Sequence, residues 1–134
     1  TISPADGAPT IEIEASEGIP RIPVDPKRMR QVLANLLSNA LRHTPTNGSI
    51  RVQIQAAGEE VWLTVTDSGP GIPEEDLPHL FERFYRGDRA RMRGGGSGLG
   101  LAIVKQWVEA HGGTIRADNA PSGGARFTVR LPAS

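Results

Sequence analysis

Gln31, Asn35, Asn39 and Arg42 recur every three or four residues, so on a helix turning by about 100° per residue they fall along one polar stripe. A solvated helix face presents such a stripe too. Asparagine, however, is a mediocre helix former, costing about 0.5 kcal/mol against the best ones, and an exposed face prefers Glu, Lys or Gln. The chemical alternative is that the Asn39 carboxamide oxygen ligates Mg²⁺. That ion takes oxygen donors, retains waters and draws its remaining ligands from phosphates.

Asp67-Ser68-Gly69-Pro70-Gly71 follows directly on a strand-like run. It reads as a turn, or as a carboxylate placed to accept a hydrogen bond from the exocyclic amine of adenine. In the second reading Gly69 and Gly71 let the backbone approach the base with no Cβ in the way. Guanine, with a carbonyl at that place, is rejected. Gly94-Gly95-Gly96-Ser97-Gly98-Leu99-Gly100-Leu101 opens a helix. Unobstructed backbone N–H groups at a helix start, with the helix dipole behind them, suit a phosphate chain; a flexible linker is the alternative. No Gly-Lys-Ser/Thr follows, so this is not a Walker A loop, and it follows a loop rather than a strand, so it is not a dinucleotide fingerprint. Arg83, Arg86, Arg89, Arg91 and Arg93 face only Asp88 between Arg83 and Ser97. Beside a phosphate site such a run reads as a basic lid.

These groups need a scaffold. Ile11, Ile13 and Ala15 alternate with Glu12, Glu14 and Ser16, the period of a half-buried strand. Arg21–Val24 offers a short second strand. Asp25-Pro26 is an N-cap followed by proline at the first helical position, and Met29, Val32, Leu33, Leu36, Leu37, Ala40 and Leu41 keep helical spacing from Lys27 to about His43. Ile50–Ala56 and Val61–Asp67 form a predicted hairpin, followed by a short helical piece around Glu74–Phe84. A second long helix spans Gly98–His111 and stops at Gly112-Gly113. Thr114–Asp118 and Ala125–Leu131 are the last strands. The order predicts an α+β fold: a two-layer α/β sandwich whose mixed, mostly antiparallel sheet of about five strands is covered on one face by about three helices.

Composition narrows the classes further. The 134 residues suit one core, and equal counts of 15 basic and 15 acidic residues with 4% aromatics give no nucleic-acid signature. The absence of cysteine excludes disulfides and thiolate sites. No apolar run approaches the ~20 residues needed to span a bilayer. Residues 1–9 read as a linker from an upstream dimerisation domain, residues 10–134 as the folded unit, and a chain opening on Thr1 as an excised piece.

In order and spacing, QVLANLLSNALRHTP, DSGPGIP, LFERFYRGD and GGGSGLGLAIVKQWVEAHGG resemble the N, first glycine, F and second glycine boxes of the bacterial sensor histidine kinases, within the gyrase-like and chaperone-like ATP-binding domains. The resemblance covers about Ile11 to Leu131. It implies ATP and Mg²⁺ as cofactors, with Asn39 as metal ligand, Asn35 in support and Arg42 reaching the phosphates. His43 stands beside the nucleotide, where the family more often has Tyr. Asp67 would bind the adenine amine, with Gly69, Gly71 and Ile72 shaping the pocket. Phe81 and Phe84 would anchor the lid, and Gly96, Ser97, Gly98, Leu99, Gly100 and Leu101 would hold the phosphate end.

Hydrolases in the same group place a general-base Glu one turn before the metal-binding Asn. Here that position is Asn35, which cannot accept a proton from water at neutral pH. A neutral imidazole acceptor has its own lone pair, so the resemblance favours a histidine kinase over an ATP-hydrolysing switch or a nucleotide-binding module without transfer. None of His43, His79 and His111 has the setting of the family's phosphorylated histidine. The acceptor is therefore expected on a separate dimerisation domain of the same protein, with relay to a response regulator. The isolated domain is expected to be a monomer, and the full-length protein a homodimer in the bacterial cell membrane with this domain in the cytoplasm.

Overall fold

A computed structural model describes residues 8–82 and 100–133. Five strands, β1 (Thr10–Ala15), β2 (Ser49–Ala57), β3 (Glu60–Asp67), β4 (Thr114–Asn119) and β5 (Ala125–Pro132), form one sheet in the order β1-β2-β3-β5-β4. β1 runs parallel to β2, with Ile11 opposite Ile50, and every other pairing is antiparallel. Two helices, α1 (Pro26–His43) and α2 (Gly100–Ala110), lie on one face, with a 3₁₀ turn at Leu77–His79.

The helices begin and end where their sequences dictate. Asp25 caps α1 by accepting a hydrogen bond from Lys27 N–H at 2.9 Å, and Pro26 follows where no donor is needed. At the other end the Thr44 hydroxyl donates to the Ala40 carbonyl at 2.7 Å, satisfying an acceptor that the helix leaves open. α2 closes in a Schellman motif: Gly113 N–H donates to Val108 O and Gly112 N–H to Glu109 O, each at 3.0 Å, with Gly112 at φ 79°. His111 ties the two helices together. Its Nε2 accepts from Asp25 N–H at 3.1 Å while its Nδ1 stands 2.7 Å from the Trp107 carbonyl. A carbonyl cannot donate, so Nδ1 carries the proton.

Strand alternation sorts the sheet into two faces. Ala125, Phe127, Val129 and Leu131 of β5, Val61 and Val65 of β3, and Ile50 and Val52 of β2 are buried, and against them pack Val32, Leu36 and Ala40 of α1 and Val104 and Val108 of α2. The other face is polar. Arg126 makes a two-point ion pair with Asp118 at 3.0 and 2.6 Å, and Arg130 lies 4.1 Å over the Trp62 ring, a cation–π contact.

Two sequence expectations change. Arg21–Val24 is not a strand; Pro20 and Pro23 lack the N–H groups a ladder needs. Val24 N–H instead closes back on the Ile22 carbonyl at 2.9 Å, and both side chains pack on the core. Within Glu74–Phe84 the described residues, up to 82, form only the 3₁₀ turn, with Pro78 at its centre.

Candidate functional site

α1 is the spine of the site, because Asn35, Asn39 and His43 are each four residues apart and so lie one above another on a single line. Asn35 accepts from Gln31 Nε2 at 3.2 Å and donates through Nδ2 to the Gly100 carbonyl at 3.4 Å. It thereby ties α1 to the first residue of α2. Two turns further on, the His43 carbonyl is packed so closely on Gly69 that a Cβ there would collide with it. One face of α1 thus reaches from the start of α2 to the glycine turn after β3.

Asn39 lies midway. It is only 8% exposed, and its carboxamide takes no hydrogen bond among the described residues. The polar stripe is therefore not a solvated face; at its centre it turns inward. No group of three His, Cys, Asp or Glu gathers among the described residues. A divalent ion held here would therefore take most of its donors from a ligand, as Mg²⁺ does from phosphates, and the free carboxamide oxygen fits that requirement. Arg42, next to this line, is exposed and donates through Nη1 to Ser38 Oγ at 3.4 Å.

At the other end, Asp67 closes β3 and is 4% exposed. Its Oδ1 accepts from Gly69 N–H at 2.8 Å and from Ala125 N–H at 3.2 Å. Two backbone donors on one oxygen fix the plane of the carboxylate, and Oδ2 takes no hydrogen bond among the described residues. The turn after Asp67 is stitched to β2 by Ser68, whose N–H donates to Ser49 O at 3.0 Å and whose Oγ accepts from Ser49 N–H at 2.8 Å. Gly71 has φ 87°, and a Cβ on it would stand 2.6 Å from the Gly123 carbonyl and 2.7 Å from Asn119 Oδ1. Only glycine fits there.

The β4–β5 turn completes this end, which the motifs alone did not disclose. Gly124 is pressed on the Asp67 carbonyl with no room for a Cβ. Asn119 accepts from Ile72 N–H at 2.6 Å and donates to the Ile72 carbonyl at 2.9 Å. In sequence, Asn119 and Gly123-Gly124 are ordinary turn residues; only the register of β4 on β5, and of β5 on β3, carries them to Asp67.

Of the other expected site residues, Gly100 heads α2, while Leu101 and Ile72 are half-buried against the core. Phe81 meets Phe127 edge to face at 6.2 Å and so is anchored. Phe84, Gly96, Ser97, Gly98 and Leu99, and the five arginines of the expected lid, lie outside the described residues. His79 pairs with Glu82 at 2.8 Å.

Comparison with known proteins places the chain in a family. Residues 24–134 match the family described as histidine kinase-, DNA gyrase B-, and HSP90-like ATPase. Over 123 residues, 91% of this chain, it is 48% identical to the signal transduction histidine-protein kinase AfsQ2 of Streptomyces coelicolor, and spans 22% of that protein's length. Among solved structures, the catalytic domain of histidine kinase ThkA superimposes with a TM-score of 0.80 at 32% identity, covering 92% of this chain and 80% of that one. Full-length ShkA in complex with AMPPNP matches 92% of this chain over 25% of its own, with TM-score 0.79 and 32% identity. ThkA in complex with the response regulator protein TrrA matches 92% of this chain over 34% of its own, with TM-score 0.76 and 31% identity. The chain belongs to the histidine kinase-, DNA gyrase B- and HSP90-like ATPase family, and within it to the catalytic domains of sensor histidine kinases.

Proposed function

We propose that this chain binds Mg-ATP along α1 and presents the γ-phosphate to a histidine of another domain. The observation that carries the reading is Asn39, 8% exposed and with no side-chain hydrogen bond among the described residues, midway along α1 between the contacts to Gly69 and Gly100. Asn35 and His43 are eight residues apart, so the two contacts are roughly 12 Å apart along the helix. A nucleotide laid along that line would have its base at Asp67 and its phosphates toward the start of α2, with Asn39 placed to hold a metal on the phosphates. Asp67 Oδ2 accepts the adenine amine, and Gly69 and Gly71 keep side chains away from the ring. Asn39 supplies a metal ligand, Asn35 holds the α2 start in place, and the α2 N-terminus with Arg42 neutralises phosphate charge. Mg²⁺, when bound, neutralises and orients the phosphates. ShkA, solved with AMPPNP, supports a nucleotide at this fold.

Phosphoryl transfer rests on positioning and charge neutralisation. The bond from the γ-phosphorus to the bridging oxygen breaks as a bond to the imidazole nitrogen forms, and ADP leaves with the electron pair. Asn35 in place of a general base leaves water unactivated, which favours histidine over hydrolysis. In the whole protein, residues 1–9 act as a linker from a histidine-bearing dimerisation domain, residues 10–134 as the catalytic domain, and the phosphoryl group passes to a response regulator. The dimer sits in the cell membrane with this domain in the cytoplasm; no described helix here is long and apolar enough to cross a membrane.

The test is to mix the domain with a histidine-bearing helical dimer and γ-labelled ATP. The expected product is an acid-labile, alkali-stable phosphoprotein. Rapid release of free phosphate without it identifies an ATP-hydrolysing switch instead, and nucleotide binding with neither product a module without transfer.

A further inference from the structure

We infer that Asn119 is a positioning residue for adenine recognition, acting through the backbone of Ile72; the inference rests on the proposed base pocket at Asp67. A primary amide carries a donor and an acceptor side by side, the same pair that a strand offers its neighbour. Asn119 uses both on one residue: Oδ1 takes Ile72 N–H at 2.6 Å and Nδ2 gives to Ile72 O at 2.9 Å. The side chain thus continues β4 across a gap that no strand spans, and fixes the segment leaving Gly71.

Three further contacts show that the same turn sets the other side of the pocket. Ala125 N–H holds Asp67 Oδ1 at 3.2 Å, Gly124 lies on the Asp67 carbonyl, and the Gly71 backbone is packed beneath Gly123 O. The carboxylate and the loop opposite it are therefore referenced to one rigid element, the β4–β5 turn. Asn119 is the side chain that closes this frame. Its removal frees Ile72 to drift while Asp67 keeps both of its own donors. Base recognition depends on the distance between those two walls, whereas the phosphate contacts near Gly100 do not involve the turn.

The test is calorimetry of this chain with Mg-ATP and Mg-GTP, with amide exchange at Ile72 as an independent reporter. Asn119→Ala is expected to weaken ATP about five- to tenfold, the effect of two modest hydrogen bonds. GTP, held by its phosphates, is expected to be unchanged, so discrimination between the bases falls by the same factor. Exchange at Ile72 accelerates. Asn119→Asp keeps the acceptor but sets a carboxylate against the Ile72 carbonyl, and is expected to be no better than alanine. Equal losses for ATP and GTP, unchanged ATP affinity, or an aspartate variant that behaves as the parent overturns the inference. If Asn119→Ala does not fold, the aspartate comparison decides alone. Asp67→Asn in the same assay separates the two levels. Weakened ATP binding there with an intact Asn119→Ala variant removes only the role of Asn119. Unchanged ATP binding in Asp67→Asn removes the base pocket, and the inference with it.

Discussion

The two ends of α1 are built differently. At the His43 end, Asp67, Ser68, Gly69, Gly71 and Ile72 are held by at least six hydrogen bonds and by three glycine contacts too close for any side chain. At the Asn35 end, among the described residues, one 3.4 Å hydrogen bond joins α1 to the start of α2, and a Cβ on Gly100 would meet nothing within 4 Å. The base end is thus fixed before a ligand arrives, and selectivity between similar bases requires that fixity because it depends on unpaired donors and acceptors staying where they are. Phosphates are met mainly through charge and backbone N–H groups, which tolerate a looser frame.

The sharpest way to break the contrast is a methyl group at each end. Gly124→Ala drives a Cβ into the Asp67 carbonyl. It is expected to cost on the order of 3 kcal/mol in denaturant unfolding and to abolish measurable ATP binding. Gly100→Ala, with no described atom within 4 Å of its Cβ, is expected to change stability by less than about 0.5 kcal/mol. Equal costs at the two glycines contradict the contrast.

Next in size is Asp67→Asn. The amide retains an acceptor for Gly69 and Ala125, so folding survives, but it turns a donor toward the adenine amine. ATP affinity is expected to fall on the order of 100-fold by calorimetry, the loss of a charge-assisted bond. Asn39→Ala removes a carboxamide that makes no hydrogen bond among the described residues, so its melting temperature should hold or rise. Magnesium should then no longer tighten nucleotide binding, and a magnesium effect equal to the parent's removes Asn39 from the metal. The smallest effect is expected from Asn35→Ala, whose bonds of 3.2 and 3.4 Å are long. A loss of ATP affinity of about threefold, read by the same titration, sharpens the contrast with the base end.

Much of this was legible in the residues. Alternating Ile, Val and Thr marked all five strands to within two residues, and the Asp25-Pro26 cap and the Gly112-Gly113 stop bounded helices correctly, because each depends on local backbone chemistry. Asn39 drew attention because Asn is a mediocre helix former even on a polar stripe, and Asp67 because a carboxylate ends a strand just before glycines. Asn119 and Gly124 were not, since an Asn and a Gly near a turn satisfy local rules and acquire their role only through register between distant strands. Arg21–Val24 failed for the opposite reason: its alternation was right, but the prolines on either side of Ile22 leave no ladder to join. The inward turn of Asn39 was also hidden, because periodicity gives the angle between stripes and not which groove a stripe faces.

The most direct measurement is a crystal structure of this chain with magnesium and a non-hydrolysable ATP analogue. The account predicts one nucleotide along α1, with the adenine amine within hydrogen-bond distance of Asp67 Oδ2 and Asn39 Oδ1 on the metal at about 2.1 Å. A nucleotide whose base lies away from Asp67, or a metal that Asn39 does not touch, contradicts it.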